Sequence, residues 1–572
     1  MKLIIKQYLA SLKERGELDA ILPELLSQLG LNVYSKPGRG TRQDGVDVAA
    51  VGSLQGGPEK VYLVSIKPGD LTRQSWDGDA VQSMRPSLNE ILDSYIPNRL
   101  PSEHRGKEIV VCICCGGDVQ EHVRTSVEGY IKQNTAPSIS FEEWNGDRLA
   151  ALIESGFLQE DLVPQDARAL LRKSLAMLDE PDVSYKYFAE LIRGLGQVQS
   201  GKESDCLRAM RQINLSTWIL FAWGREAGNT ESAYLGAELA LLHSWHLARD
   251  FSERKGKTAE AMHTAFRSTL LVYRQIVHDY ISRCVLPHVD KLHGLSSAIN
   301  PGNYLDVNLR LFDVLGRLAV LGLWSLWDAM GCKPGQGQFK QACLDTLETC
   351  AVATAHLIAN NPALGSPAKD EQGIDVFLAL FMMSQVSSVE EPVGSWLDDM
   401  LGRCMFSYIC ELNYPCVLRE YGDLLVHPKK GDEEYRREVT AGSILYPTIA
   451  FWAAKLGLGD VYKGVRAFKQ QHLAHCNFQY WYPDGNSEAL IYTDSAPHGA
   501  VLSNLDVSKP MSDFLTQLMA ECDACRDFES LSAIKSGLWP IVLIACRHHR
   551  LPVPLGFFKD STALPPGQEL AQ

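Results

Sequence analysis

Between residues 9 and 160 the spacing of apolar positions changes period several times. From Leu9 to Leu29 it is helical, with Leu18, Ile21, Leu22, Leu25 and Leu29 on one stripe, and it stops at Gly30, the residue type that most readily closes a helix. LNVYS then reads as a short strand, KPGRGTRQDG as a polar loop, VDVAAV as a second strand and GSLQGGPEK as a turn. VYLVSIK, rich in β-branched and aromatic residues, reads as a third strand. Residues 83–95 return to helical spacing, and KEIVVCIC at 107–114 is apolar nearly throughout, the mark of a strand covered on both faces. A helix over 120–133, the strand SISFEEW and the short helix DRLAALIE complete the series. The pattern predicts an α/β domain over residues 1–163.

Beyond Pro164 strand patterns nearly vanish, and stretches such as LDVNLRLFDVLGRLAVLGLWSLWDAMG place Leu311, Leu315 and Leu318 on one helical face. The segment NNPALGSPAKDEQG, dense in helix breakers, predicts a boundary between one helical lobe over 164–362 and another over 373–550. One interruption, FQYWYPDGNSEALIYTD, predicts a β-hairpin near 478–493. Tyr480 and Tyr482 alternate there against Trp481, which would leave one aromatic side open for stacking on a base. Residues 551–572, rich in proline, predict an irregular tail.

Composition narrows the classes. With 45% apolar and 22% charged residues the chain of 572 residues is globular and long enough for several cores. Fifteen cysteines scattered without a framework point to reduced thiols and a cytoplasmic setting, and no run approaches the roughly 18–20 apolar residues of a membrane span. The net charge of -14 argues against a protein that coats nucleic acid nonspecifically. Cys522 and Cys525, with Cys546, His548 and His549 beyond, have spacing from which a zinc site can be drawn, but CDAC lies inside a helical pattern and reads as buried helix cysteines.

The first domain holds the chemistry. A divalent cation such as magnesium takes oxygen ligands, and phosphodiester hydrolysis needs an activated water together with positive charge on the phosphoryl oxygens. Asp47 at the start of one strand, Lys67 at the end of the next and Glu24 on the preceding helix supply those groups. Alternation along VYLVSIK puts Val61, Leu63, Ser65 and Lys67 on one face. Lys36, Arg39 and Arg42 form a basic, glycine-containing loop suited to a backbone phosphate.

In this order, the helix with Glu24, LGLNVYS, the loop, GVD at 45–47 and the strand ending in SIK resemble the PD-(D/E)XK, or restriction-endonuclease-like, nuclease superfamily, and within it the catalytic domains of type IV methyl-directed restriction enzymes. VVCICCGGDVQEHVRTSVEGYI and ISFEEWNGDRLAALIE extend the likeness, which covers about residues 10–158. It implies metal-dependent DNA cleavage with Mg2+ or Mn2+, Asp47 and Glu24 as metal ligands, and Lys67 orienting the attacking water. It departs at Ser65, where the family has an acid or, in the type IV branch, glutamine; Asp44, Glu59 and Asp70 are the nearby carboxylates that could compensate. The expectation is an endonuclease joined to helices that regulate it, recognise a target, or bind a second copy or a partner protein, an arrangement like an anti-phage defence effector. The alternative is an inactive nuclease fold serving as a nucleic-acid or protein scaffold.

Overall fold

The computed structural model describes residues 6, 9–10, 18–36, 44–54, 56–78, 83–157, 165–198, 202–298, 302–503, 505–525 and 527–558. They form two compact units, Met1–Ala240 and Leu241–Gln572.

In the first unit the apolar stripe of DAILPELLSQ forms helix α1 (Asp19–Gln28), followed by strands β1 (Asn32–Ser35), β2 (Val48–Ser53) and β3 (Glu59–Lys67). Helices α2 (Arg73–Asp77) and α3 (Met84–Glu90) lead to β4 (Ile109–Cys115), α4 (Glu121–Asn134), β5 (Ile139–Trp144) and α5 (Gly146–Phe157). The strands lie in the order β1-β2-β3-β4-β5. The first three form an antiparallel meander, and β4 and β5 continue parallel to β3 after helical crossovers. This is the mixed sheet with helices that the changing period predicts.

Every residue of β4 is buried, because helices cover both faces. On one face Val61 and Leu63 of β3 join Ala49 and Val51 of β2, Val111 and Ile113 of β4, and Trp76, Leu88, Val123 and Val127 from α2, α3 and α4. A large aliphatic side chain buried in this way contributes about 1.5–3 kcal/mol. Helices α1 and α5 pack together on the other face, where Tyr62 meets Trp144 with ring centroids 5.9 Å apart. Register is marked where β3 and β4 begin: Lys60 pairs with Glu108 at 2.7 Å and Lys107 with Glu59 at 2.8 Å. Thr72 and Ser75 form a reciprocal capping box that starts α2, a helix the apolar pattern did not mark.

Helices α6 (Gln165–Ala176), α7 (Pro181–Gly196), α8 (Glu203–Glu226) and α9 (Glu231–Ala248) follow. The second unit is built largely of α10 (Lys257–Tyr280), α11 (Tyr304–Met330), α12 (Gly337–Asn360), α13 (Gly373–Met383) and α14 (Glu390–Ile409). Then come α15 (Tyr421–Val426), α16 (Leu445–Lys455), α17 (Gly459–Gln471), α18 (Met511–Ala524) and α19 (Pro540–His549). Among the described residues α12 is the one helix long and apolar enough to cross a membrane, but it turns Leu347, Cys350, Ala351 and Leu357 inward and packs on α11.

Two expectations for this region change. The boundary expected at 362–373 falls inside the second unit: Asn308 of α11 donates to the Ser366 carbonyl at 2.8 Å and accepts from Gln372 at 2.9 Å. Proline and glycine end α12 there, yet Asn308 satisfies the polar backbone, so the segment packs rather than links. The hairpin near 478–493 is replaced by a three-stranded sheet in which β7 (Asn477–Tyr482) lies between β6 (Gly442–Ser443) and β8 (Ala500–Ser503). Asp484 accepts from the Asn486 and Ser487 amides and so starts a short helix, Ser487–Leu490, instead of a turn back into a second strand.

Asp370 begins a 3₁₀ turn, lies deep in the second unit, and accepts from the Ser443 hydroxyl and the Ile444 amide beside the start of α16. Burial outweighs these bonds and pushes its carboxyl up from 3.8 to about 6. Folding therefore favours the protonated form; its contribution is complete below about pH 4 and is lost as pH rises to about 6. Denaturant unfolding of wild type and Asp370→Asn across pH 3.5–7 should show wild type losing roughly 3 kcal/mol relative to the variant in that window. A pH-independent difference would exclude this titration.

Candidate active site

The turn before β2 is built from two left-handed residues, Asp44 (φ 47°) and Gly45 (φ 79°). A Cβ on Gly45 would lie 2.0 Å from the Ser87 carbonyl oxygen of α3, so only glycine lets the turn pass this close. Asp44 is buried and paired with Arg99 at 2.7 Å, which ties the turn to the segment after α3. The chain then enters β2 through Asp47, whose amide donates to the Val64 carbonyl at 2.9 Å. Its carboxylate Oδ2 accepts from the Ile66 amide at 2.7 Å. Asp47 thus sits at the end of the β2–β3 ladder, against the peptide unit that joins Ser65 to Ile66.

Alternation carries Ser65 and Lys67 toward the face that holds Val61 and Leu63, and register sets them beside Ile113 and Cys115 of β4. Lys67 is only 7% exposed. Ser65 is fully buried and its hydroxyl has no hydrogen-bond partner. A desolvated hydroxyl left unpaired costs about 1–3 kcal/mol, so this orphan oxygen is the least satisfied atom in the strand pair. Burial pushes the Cys114 thiol well up, and the neighbouring Cys115 and the Asp47 carboxylate add to the shift. Burial likewise takes the Cys115 thiol up to about 12, which leaves it an inert core group.

The structure therefore brings together Asp47, Ser65 and Lys67. Glu24 belongs to α1, which packs on the opposite sheet face; its side chain lies outside the described residues, as do Arg39 and Arg42. Lys36 is exposed just after β1. The three compensating carboxylates are engaged elsewhere. Asp44 pairs with Arg99, Glu59 pairs with Lys107 at the far end of β3, and Asp70 accepts from the Asp118 amide at 2.9 Å. Among the described residues no group of three acid, histidine or cysteine side chains is arranged to hold a metal.

The aromatic surface predicted around residue 481 is closed. Tyr480, Trp481 and Tyr482 are all buried, with Trp481 donating to the His498 carbonyl at 2.7 Å and Tyr480 to that of Pro447. What sequence reading missed at the candidate site is Arg99, whose pairing with Asp44 across 55 positions leaves no local pattern. No protein-family model matches the chain, and no curated protein or solved structure matches it.

A magnesium ion keeps several waters and uses one or two carboxylates. A strand-end carboxylate, a hydroxyl without a hydrogen-bond partner and a buried lysine fit that modest demand, with Asp47 as the residue that would hold the ion. Gly45→Ala should lose at least about 2 kcal/mol in chemical denaturation, since an L-residue in the left-handed region costs about 1–2 kcal/mol before the clash with Ser87 is counted. Ser65→Ala, in contrast, should be neutral or stabilising by up to about 1 kcal/mol. A large destabilisation of Ser65→Ala would mean that the hydroxyl has a structural partner after all.

Proposed function

We propose that residues 1–163, within the first unit, form a metal-dependent DNA endonuclease that hydrolyses phosphodiester bonds at the ends of β2 and β3. The observation that carries this reading is the bond from the Ile66 amide to Asp47, which fixes a carboxylate beside the strand that delivers Lys67. The order of α1, three meandering strands, a helical crossover and a parallel strand agrees with the nuclease resemblance of residues 10–158.

Mg2+ or Mn2+, when bound, would supply an activated water and charge neutralisation at the scissile phosphate. Asp47 would hold the cation through its carboxylate, and Glu24 is the further acid assigned to it by the resemblance. Lys67, on a strand bonded to both neighbours, is positioned by the sheet rather than by its own flexible stem, so its ammonium can orient a nucleophile and stabilise a phosphoryl oxygen with little reorganisation. Ser65 brings no charge and serves by bonding to a water. Lys36, Arg39 and Arg42 are assigned to the DNA backbone. The helices of the second unit are assigned to control of the nuclease, in the manner of an anti-phage effector. The fifteen cysteines, all free thiols, accord with a cytoplasmic setting.

One observation favours a second reading. Ser65 stands sealed from solvent where the resemblance expects an acid or an amide, and on that reading the domain is a non-catalytic scaffold for nucleic acid or protein. Incubation of the full chain with supercoiled and linear DNA plus Mg2+ or Mn2+ separates the two. The nuclease reading expects metal-dependent cleavage that falls by about 10²–10³-fold in both Asp47→Asn and Lys67→Ala. Cleavage unaffected by both substitutions, or no cleavage by folded wild type with either metal, would favour the scaffold.

A further inference from the structure

Among its described residues the second unit carries a set of large apolar side chains that are exposed. Phe406 and Ile409, one helical turn apart at the end of α14, are 61% and 51% exposed. Tyr421, Leu425 and Val426 of α15 are 43%, 48% and 63% exposed, and Tyr304 at the start of α11 is 54% exposed. Hydrogen bonds tie the start of α11 to the start of α15 and to the segment that follows α14. Asn413, just past α14, donates to the Tyr304 hydroxyl. Tyr421 donates to Asp306 of α11 and accepts from Asn303 at 2.6 Å.

The patch stands on a firm base. Tyr408, Tyr414 and His427 lie buried in the same segment, with ring centroids 5.2 Å apart for the tyrosines and 4.5 Å for Tyr414 and His427. The two ring nitrogens of His427 meet the Tyr435 hydroxyl at 3.0 Å and the Tyr414 carbonyl at 2.9 Å. A preordered surface of this kind loses little entropy on docking.

We infer that this patch is a self-complementary interface through which two copies of the chain associate. Two features select that occupant. With ~150–250 Å² for a whole aromatic side chain and less for an aliphatic one, the six side chains expose roughly 600 Å², the upper end for a monomer's largest patch. Adding a polar rim brings it near the roughly 800 Å² per partner of a stable dimer. The rim also carries both signs, with Arg419 and Lys430 exposed alongside Glu420 and Asp423. A two-fold contact sets each rim residue against a different one on the other copy, so mixed signs can pair. A nucleic acid would instead require a basic rim. This inference is independent of whether the first unit cleaves DNA.

Cys410, next to Ile409 in the chain, is exposed while the other fourteen cysteines are buried or half-buried, and it provides a reporter. Sedimentation equilibrium of the full chain at 1–50 μM should give twice the chain mass. Phe406→Glu and Ile409→Glu should weaken the dimer at least 100-fold, whereas Leu271→Glu, an exposed apolar residue on α10, should leave it intact. Maleimide labelling of Cys410 in wild type should slow as protein concentration rises, and in Phe406→Glu it should not. Wild type that stays monomeric at 50 μM with Cys410 labelled at a constant rate would overturn the inference, whatever other partner the patch binds. So would a dimer that persists in folded Phe406→Glu and Ile409→Glu.

Discussion

The hydrogen bond from the Ile66 amide to the Asp47 carboxylate closes the antiparallel side of strand β3, and the geometry of the candidate site depends on it. Strand β3 is the hinge of the sheet, antiparallel to β2 on one side and parallel to β4 on the other. With both faces buried, every backbone group in it must find a partner inside the protein. Asp47 meets that demand at the ladder's end, and in doing so its carboxylate is held against the backbone of β3. A structural constraint and a functional opportunity thus fall on the same carboxylate.

That position is itself maintained by less local features. The left-handed turn at Asp44 and Gly45 passes against the backbone of α3, and Arg99 neutralises the buried Asp44 carboxylate. Opposite charges at the other end of β3, Lys60 with Glu108 and Lys107 with Glu59, mark the parallel register that sets Lys67 beside Cys115. Since a one-residue slip would exchange the two faces, register is what keeps Lys67 and Ser65 together. Ser65 remains the exception to this close satisfaction. Its orphan hydroxyl is what a bound water would relieve, and equally what an inactive descendant of a nuclease would be left with.

The strands of the first unit were readable because period 2 and period 3.6 alternate there with clear glycine and proline punctuation. LNVYS, VDVAAV, VYLVSIK, KEIVVCIC and SISFEEW all lie on observed strands. The nearness of Asp47 to the end of VYLVSIK was readable for the same reason, since a meander returns the chain beside itself. Other features depend on contacts distant in sequence. Arg99 finds Asp44, β8 rather than residues 487–493 pairs with β7, and Asn308 makes a packed segment out of NNPALGSPAKDEQG. The aromatic run at 480–482 has the same alternation whether a sheet face is open or covered, so its burial could not be read from the pattern.

The central claim is that β2 and β3 build a divalent-cation site on Asp47 beside Lys67. Its most direct test is crystallographic: anomalous scattering from crystals of the full chain soaked in Mn2+. The account predicts a peak within coordination distance of the Asp47 carboxylate, absent from Asp47→Asn crystals. Well-ordered density for Asp47, Ser65 and Lys67 with no manganese beside them at millimolar Mn2+ would contradict it.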